Sequence, residues 1–408
     1  MLRLLRVFLC VGAAAWAAPT PNVLHSFGVH LQGGSDLYAG LILGSSGNAY
    51  GATESGGAYG YGVVFELSPD GTGDWAEKVL YDFKGAPGED GATPHATLVF
   101  DSAGNLYGTT VSGGLFSNCG GGCGIVFKLT PTSQGQWTET VVHRFTGGTD
   151  GATPYAGVIL DAAGNVYGAT DGGGSAGKGT IYKLTPSGSG SWVETVLYSF
   201  TGRPDGAGPF AAPLLDAAGN LYGTTYYGGE RNAGTVYKLA PQQDGSWAET
   251  VLHSFDGGSD GVNPGAPLIA DRSGNLYGTT AVGGTANCGV AFKLTAASDW
   301  AETLLHTFLG VIEDDGENPN GLTFGPHGIL YGTTVGGGTL NPGTIFSLTP
   351  DKNGGWTEAV LYNFTAGLDG AYPSVGLTMG PHGGLYGTTL WGGPAGDTVG
   401  GVAFEFNP

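Results

Sequence analysis

At 408 residues with 34 acidic against 14 basic side chains, the chain carries a formal charge of −20. It therefore lacks the basic footprint that phosphate binding needs, which argues against nucleic acid and anionic membrane surfaces as partners. Glycine is the commonest residue, 81 of 408, without a Gly-X-Y period, so collagen is excluded; with 40% apolar residues, many turns between short apolar runs point to an all-β chain.

In chain order, Arg3 and Arg6 precede a short apolar run from Leu4 to Ala15, and Ala15-Trp16-Ala17 fits a small-x-small cleavage site. Residues 1–17 are expected to be a signal peptide, too short to span a membrane as an anchor. The mature chain is thus expected to be secreted or extracytoplasmic, with no membrane span.

From there one repeat of about 55 residues runs to the end. Its most regular segment is Gly104-Asn105-Leu106-Tyr107-Gly108-Thr109-Thr110, and its tyrosine returns as Tyr50, Tyr107, Tyr167, Tyr222, Tyr277, Tyr331 and Tyr386. In the copy opening at Asp150, Val158–Leu160 reads as strand A, Asp161–Asn165 as a hairpin turn, and Val166–Thr170 as strand B. Thr180–Leu184 then reads as strand C. Trp192–Phe200 reads as strand D, with Trp192, Glu194, Val196, Tyr198 and Phe200 on one face by period two. Four antiparallel strands per repeat make a propeller blade. The repeats lie near 34–83, 90–145, 150–200, 205–255, 260–308, 315–364 and 369–408, so residues 18–408 are expected to form a single seven-bladed β-propeller.

The Trp-x-Glu form of strand D occurs six times, at Trp75, Trp137, Trp192, Trp247, Trp300 and Trp356. The last repeat stops after strand C, Val402–Phe406, and the missing strand is at the other end. Asn22-Val23-Leu24-His25-Ser26-Phe27 matches the second half of D in Val251–Phe255. The N-terminal strand is therefore expected to complete the seventh blade and close the ring, which removes the raw edges of an open array.

These residues resemble the GloVer tandem repeats of the "choice-of-anchor" group of exported bacterial proteins. The Gly-Asn-Leu-Tyr-Gly-Thr-Thr segment, the Gly-Gly after it and strands such as Phe127-Lys128-Leu129 carry the resemblance over residues 22–408. It implies a surface or extracellular protein and no catalytic residues. Many relatives carry a C-terminal sorting anchor; this chain ends at Asn407-Pro408, and free secretion is expected. The strand layout is also similar to that of NHL-type propellers.

Propeller topology puts the B–C and D–A loops on one face, where binding residues are expected. The B–C loops vary most, and Tyr226, Tyr227 and Trp391 stand out in them, with Glu54, Asp171, Glu230 and Arg231 as polar candidates. Aromatic faces beside hydrogen-bonding groups suit sugar rings; packing between blades is the alternative. A non-catalytic binding scaffold for an extracellular glycan or protein is the expected function. A hydrolase or lyase acting on a polysaccharide or lactone, and a structural envelope protein, are the alternatives. No P-loop occurs.

The D–A loops carry Asp90, Asp150, Asp205, Asp260, Asp315 and Asp369 in Asp-Gly pairs, with Asp36 as a degenerate copy. A turn role outweighs a Ca²⁺-binding ring of carboxylates, and no cofactor is expected. His25, His143, His253 and His306 share a strand position with Tyr81, Tyr198 and Tyr362, and no pair of histidines has metal-ligand spacing. Glu77, Glu139, Glu194, Glu249, Glu302 and Glu358 read as solvated charges of the outer strand, four of them within reach of Lys128, Lys183, Lys238 and Lys293. Cys119 and Cys123 are a disulfide candidate, Cys288 a free thiol, and a monomer is expected.

Overall fold

Short apolar runs separated by glycine turns can bury themselves only by stacking sheet on sheet, and a ring of sheets leaves no unprotected edge. The computed structural model describes residues 19–28, 33–71, 75–85, 90–114, 118–188, 190–394 and 400–408. The expected signal peptide, residues 1–17, lies outside the described residues. Seven four-stranded antiparallel sheets form the blades of a propeller. In blade 3, strands Ile159–Leu160, Val166–Thr170, Thr180–Ser187 and Ser191–Ser199 run from the innermost (A) to the outermost (D), as expected.

Blade 7 takes Thr378–Met379, Leu385–Thr388 and Val402–Phe406 from the C-terminal end and Asn22–Ser26 from the N-terminal end. Asn22 pairs with Glu405 and Ser26 with Val402. Phe27 is 1% exposed against Phe65 of blade 1. The ring is also laced on the inside: the Thr388 hydroxyl donates to the Ala39 carbonyl at 3.0 Å and Thr378 to Leu41 at 2.6 Å.

Each letter of the repeated segment has a physical job. Asn105 donates its side-chain amide to Asp101 at 2.6 Å, and Asp101 also accepts the Ala103 and Asn105 N–H groups, closing the A–B turn. The Tyr107 ring lies under Lys128 Nζ, 5.4 Å from its centroid, and edge-on to Trp192 of the next blade at 6.3 Å. Thr109 donates to the Ala156 carbonyl of blade 3 at 2.9 Å, and Thr110 turns back to the Ser112 carbonyl at 2.8 Å. Gly108 is small because the Phe127 ring occupies its side-chain space: a Cβ there would sit 2.6 Å from Cζ. Gly108→Ala is expected to cost about 1–3 kcal/mol by overpacking, read as a lower urea midpoint at unchanged slope.

Two regularities went unread in the sequence. Every strand D carries a β-bulge; in blade 3 the register shifts between Tyr182↔Val196 and Ile181↔Tyr198, leaving Leu197 as the extra residue, buried. The period-two face assigned to Trp192–Phe200 is therefore interrupted there. In addition, the start of each repeat pairs with the residues just after strand B, as in Gly91↔Gly113 and Ala92↔Ser112. That pairing zips the D–A and B–C loops together on one face. It also corrects the alignment of Asp36. Ser35 pairs with Ser55 as Ala92 pairs with Ser112, so Asp36 matches Thr93 rather than Asp90. Asp36 and Thr93 share a left-handed backbone, φ 62° and 58°.

The strand-D glutamates are not solvated outer charges. They turn into the seams between blades, where Oε1 of Glu77, Glu139, Glu194, Glu249, Glu302 and Glu358 is buried without a hydrogen-bond partner. Burial first, and then the aspartate of the preceding D–A loop, pushes Glu139, Glu194 and Glu249 up to about 7 and Glu302 to about 8. Lys128, Lys183, Lys238 and Lys293 lie over tyrosine rings at 5.4–5.7 Å instead of reaching these carboxylates.

Candidate functional site

Residue 95 follows the proline that opens strand A, and the same repeat position holds Tyr38, His95, Tyr155, Phe210, Gly265, Asn320 and Ser374. All seven line one cavity of about 790 Å³ at the centre of the ring, open on the face of the B–C and D–A loops. Four consecutive blades thus present an aromatic side chain and three present a small or polar one. The rings are in contact: Tyr38 stacks on His95 at 4.6 Å, His95 meets Tyr155 at 5.2 Å, and Tyr155 meets Phe210 at 5.4 Å. Tyr226 extends the arc from Phe210 at 5.2 Å. It leans over Gly265, where a Cβ would sit 3.2 Å from Tyr226 Cδ2, so the glycine makes room for the fifth ring.

The backbone explains why this position points inward. The residue two before it takes a left-handed conformation in blades 1, 2, 3, 5, 6 and 7, at Asp36, Thr93, Thr153, Asn263, Asn318 and Tyr372. In blade 4 the residue is Gly208, φ 64°. That kink, followed by proline in six copies, turns the chain from the loop into strand A. The Asp-Gly pairs hold the loop itself. Asp90 accepts the Lys84 N–H at 2.9 Å, Asp150 the Thr146 N–H at 2.7 Å and Asp369 the Thr365 N–H at 2.8 Å. None of these aspartates lines the cavity.

Two carboxyls stand beside the arc. Glu54 and Asp171 follow strand B in blades 1 and 3, and burial raises both above the ordinary carboxylate range; Asp36 adds to the effect at Glu54. Their charges act on the lining phenols: after burial, Glu54 is the largest influence raising Tyr38, and Asp171 the largest raising Tyr155. His95 is lowered to about 4 by burial, so the arc carries no positive charge at neutral pH.

Of the residues singled out in the B–C loops, Tyr226 lines the cavity and Tyr227 packs edge-on against it at 4.9 Å, half exposed. Glu54 and Asp171 border the arc. Trp391 sits behind Tyr372, edge-on at 5.2 Å, outside the lining. Glu230 and Arg231 do not converge on the cavity. The Glu230 N–H donates to Ser254 Oγ at the end of the outermost strand of blade 4, and its carbonyl accepts from the Arg203 guanidinium. Tyr38, His95, Tyr155 and Phe210 were missed. The signal was present, since one position varies sharply among otherwise constant neighbours, but it lies at the start of strand A rather than in a loop. Cys119 and Cys123 are joined as a disulfide, and Cys288 is free.

The model of the Gloeobacter/Verrucomicrobia repeat matches residues 117–314 and 248–408. No curated protein matches the sequence significantly. Among solved structures, the chain is similar to a Bacteroides uniformis protein provisionally described as a 6-phosphogluconolactonase. The TM-score is 0.52 and the identity 16%, over 81% of this chain and 84% of that one. It is also similar to an ancestral GH74 enzyme, with a TM-score of 0.52 and 12% identity, over 96% of this chain and 48% of that one. The chain thus spans about half the length of the GH74 enzyme. At these identities the likeness is one of fold.

Proposed function

This chain belongs to the Gloeobacter/Verrucomicrobia repeat family, and from that premise we propose that it is an exported propeller that binds a neutral glycan in its central cavity. The observation that carries this reading is the arc of Tyr38, His95, Tyr155, Phe210 and Tyr226, facing Gly265, Asn320 and Ser374 across the ring. Sugar rings offer a C–H face to an aromatic surface and hydroxyls to polar groups, and the cavity is lined with both. About 300–1,000 Å³ is the usual size of a small-molecule pocket, which suits a short oligosaccharide or the end of a longer one. Neutrality follows from the site: two carboxyls border it, and its one histidine is uncharged. The Cys119–Cys123 disulfide supports an oxidising, extracytoplasmic setting.

An array of neutral oligosaccharides, followed by calorimetry on the hits, tests the reading. Tyr155→Ala and Phe210→Ala are each expected to weaken binding about tenfold or more, at a cost near that of a lost stacking contact. Glu230→Ala and Arg231→Ala are expected to leave it unchanged. No binding by the wild type across the array overturns the glycan reading.

A second reading is glycoside hydrolysis, favoured by Glu54 and Asp171, two carboxyls with raised pKa beside one cavity. The neighbours described as a lactonase and a GH74 enzyme share the fold with this chain and lend no residues to the reading. Release of new reducing ends from a bound oligosaccharide, lost in Glu54→Gln and Asp171→Asn, supports hydrolysis; binding without release supports the scaffold.

A further inference from the structure

The seams between blades repeat one arrangement. The aromatic or imidazole near the end of strand D, the aspartate of the D–A loop and the glutamate of the next blade's strand D meet at each of the five seams from blade 1 through blade 6. Where the first is tyrosine, its hydroxyl reaches the aspartate: Tyr81 donates to Asp90 at 3.0 Å and Tyr198 to Asp205 at 3.1 Å. Histidine is shorter, and at the seam of blades 4 and 5 it leaves a gap. His253 Nε2 stands 3.7 Å from Asp260 Oδ2 and 3.9 Å from Glu302 Oε1. These distances are too long for hydrogen bonds. His253 Nε2, Asp260 Oδ1 and Glu302 Oε1 are all buried without partners.

We propose that His253, Asp260 and Glu302 bind a divalent transition-metal ion of the Zn²⁺ type, which clamps the outer strands of blades 4 and 5. Ligand atoms of the three lie within 4.8 Å of one another. A triangle with sides of 3.7 and 3.9 Å and a third side up to 4.8 Å has a centre about 2.0–2.5 Å from each corner, against metal–ligand bonds of about 2.0–2.2 Å for zinc. An imidazole with two carboxylates is a borderline ligand set that suits zinc better than the hard, oxygen-only preference of Ca²⁺. The charge also fits, because Asp256 adds a third carboxyl beside Asp260 and Glu302. The imidazole is held for the role: its ring packs edge-on against Phe255 at 4.6 Å, and the Asp256 N–H donates to Asp260 Oδ2 at 2.8 Å.

The same residue types meet at His306, Asp315 and Glu358, but there Nε2 already bonds Asp315 at 2.9 Å, as the tyrosines do at their seams. At the seam of blades 2 and 3, His143 stands off in the same way, 3.8 Å from Asp150 and 3.9 Å from Glu194, but Asp150 Oδ1 already accepts from the Thr146 hydroxyl at 2.6 Å and the Gly148 N–H at 3.2 Å. Ligand atoms gather within 4.8 Å without a bond already made by the imidazole only at His253, Asp260 and Glu302 among the described residues, and the ion is assigned there.

Calorimetric titration of tag-free, chelator-treated protein with ZnCl₂ tests the site, with His253→Tyr as the central variant. Tyrosine at this position is the chain's own solution in three other repeats, so the fold is expected to stand, checked by its melting midpoint in EDTA. Wild type and His306→Tyr are expected to bind one equivalent, and His253→Tyr to bind it at least 100-fold more weakly. Saturating Zn²⁺ is expected to raise the wild-type midpoint by about 3 °C and leave that of His253→Tyr unmoved. The proposal is overturned by no saturable binding at 100-micromolar Zn²⁺, by undiminished binding in His253→Tyr, or by loss of the equivalent in His306→Tyr alone.

Discussion

Removing residues 19–27 is expected to lower the melting midpoint by on the order of 10 °C, or to make the protein insoluble. The deletion strips strand D from blade 7 and exposes the edge of Val402–Phe406, whose partners run from Asn22↔Glu405 to Ser26↔Val402. It also uncovers the cluster that joins blade 7 to blade 1, in which Leu24, Phe27, Leu37, Phe65 and Ala403 pack together. Phe27→Ala alone is expected to cost about 3–5 kcal/mol, because the ring is buried and its space cannot collapse easily. Differential scanning calorimetry with a sedimentation check reads both variants. An unchanged midpoint in the deletion would mean that the ring does not depend on the shared blade.

Stability is expected to rise on acidification from pH 8 to pH 5, against the habit of most proteins. Glu139, Glu194, Glu249 and Glu358 ionise at about 7 in the folded ring and Glu302 at about 8, from an ordinary value of 4.5. The folded state therefore binds more protons than the unfolded chain between pH 4.5 and pH 7–8. That contribution is complete below pH 4.5 and is lost as pH rises through 7–8. Three imidazoles act the other way. His95, His143 and His253 are lowered by burial, so each loses stability as pH falls below 6.5. Five carboxyls outweigh three imidazoles, and after allowance for solvent screening a gain of about 5 °C is expected. Below pH 4 the trend reverses, because at Asp101, Asp161, Asp216 and Asp271 burial raises the carboxyl but the A–B turn hydrogen bonds together outweigh it and hold each below its usual range. Midpoints measured in EDTA at constant ionic strength check the curve, and Glu139→Gln with Glu249→Gln is expected to flatten it. A midpoint higher at pH 8 than at pH 5 contradicts the seam assignment.

The ring and its closure were legible in the sequence because both are counting problems. Seven Tyr-Gly copies against six Trp-x-Glu strands leave one strand to be found, and Asn22–Phe27 supplies it. The unread parts needed distance rather than count. A bulge at Leu197 is invisible when strand D is read by strict alternation. The glutamates share the period-two face of Trp192 and Val196, but on an outermost strand that face reads as solvated; the neighbouring blade covers it, and no single repeat contains that neighbour. His253, Asp260 and Glu302 come from one strand, the following loop and the next blade, so no local ligand spacing could announce them. The aromatic arc is hidden for another reason: the loops vary more than the start of strand A, yet the variable residue Glu230 lies against an outer strand. The informative break was a single position in a constant setting, where His95 answers to Gly265.

That position has a consequence for how the family could change. In blades 1 to 5 it faces an open cavity rather than the seams that carry stability, so each of these blades offers one slot that can be refilled without repacking the ring; in blades 6 and 7, Asn320 and Ser374 also lace the ring, donating to the Pro373 carbonyl at 2.8 Å and the Leu37 carbonyl at 3.0 Å. Five slots at fixed angles around one axis make a panel in which a ring or a small residue is a separate choice at each. A shift in what is recognised therefore requires only point replacements at residues 38, 95, 155, 210 and 265, with the scaffold left to keep its own balance.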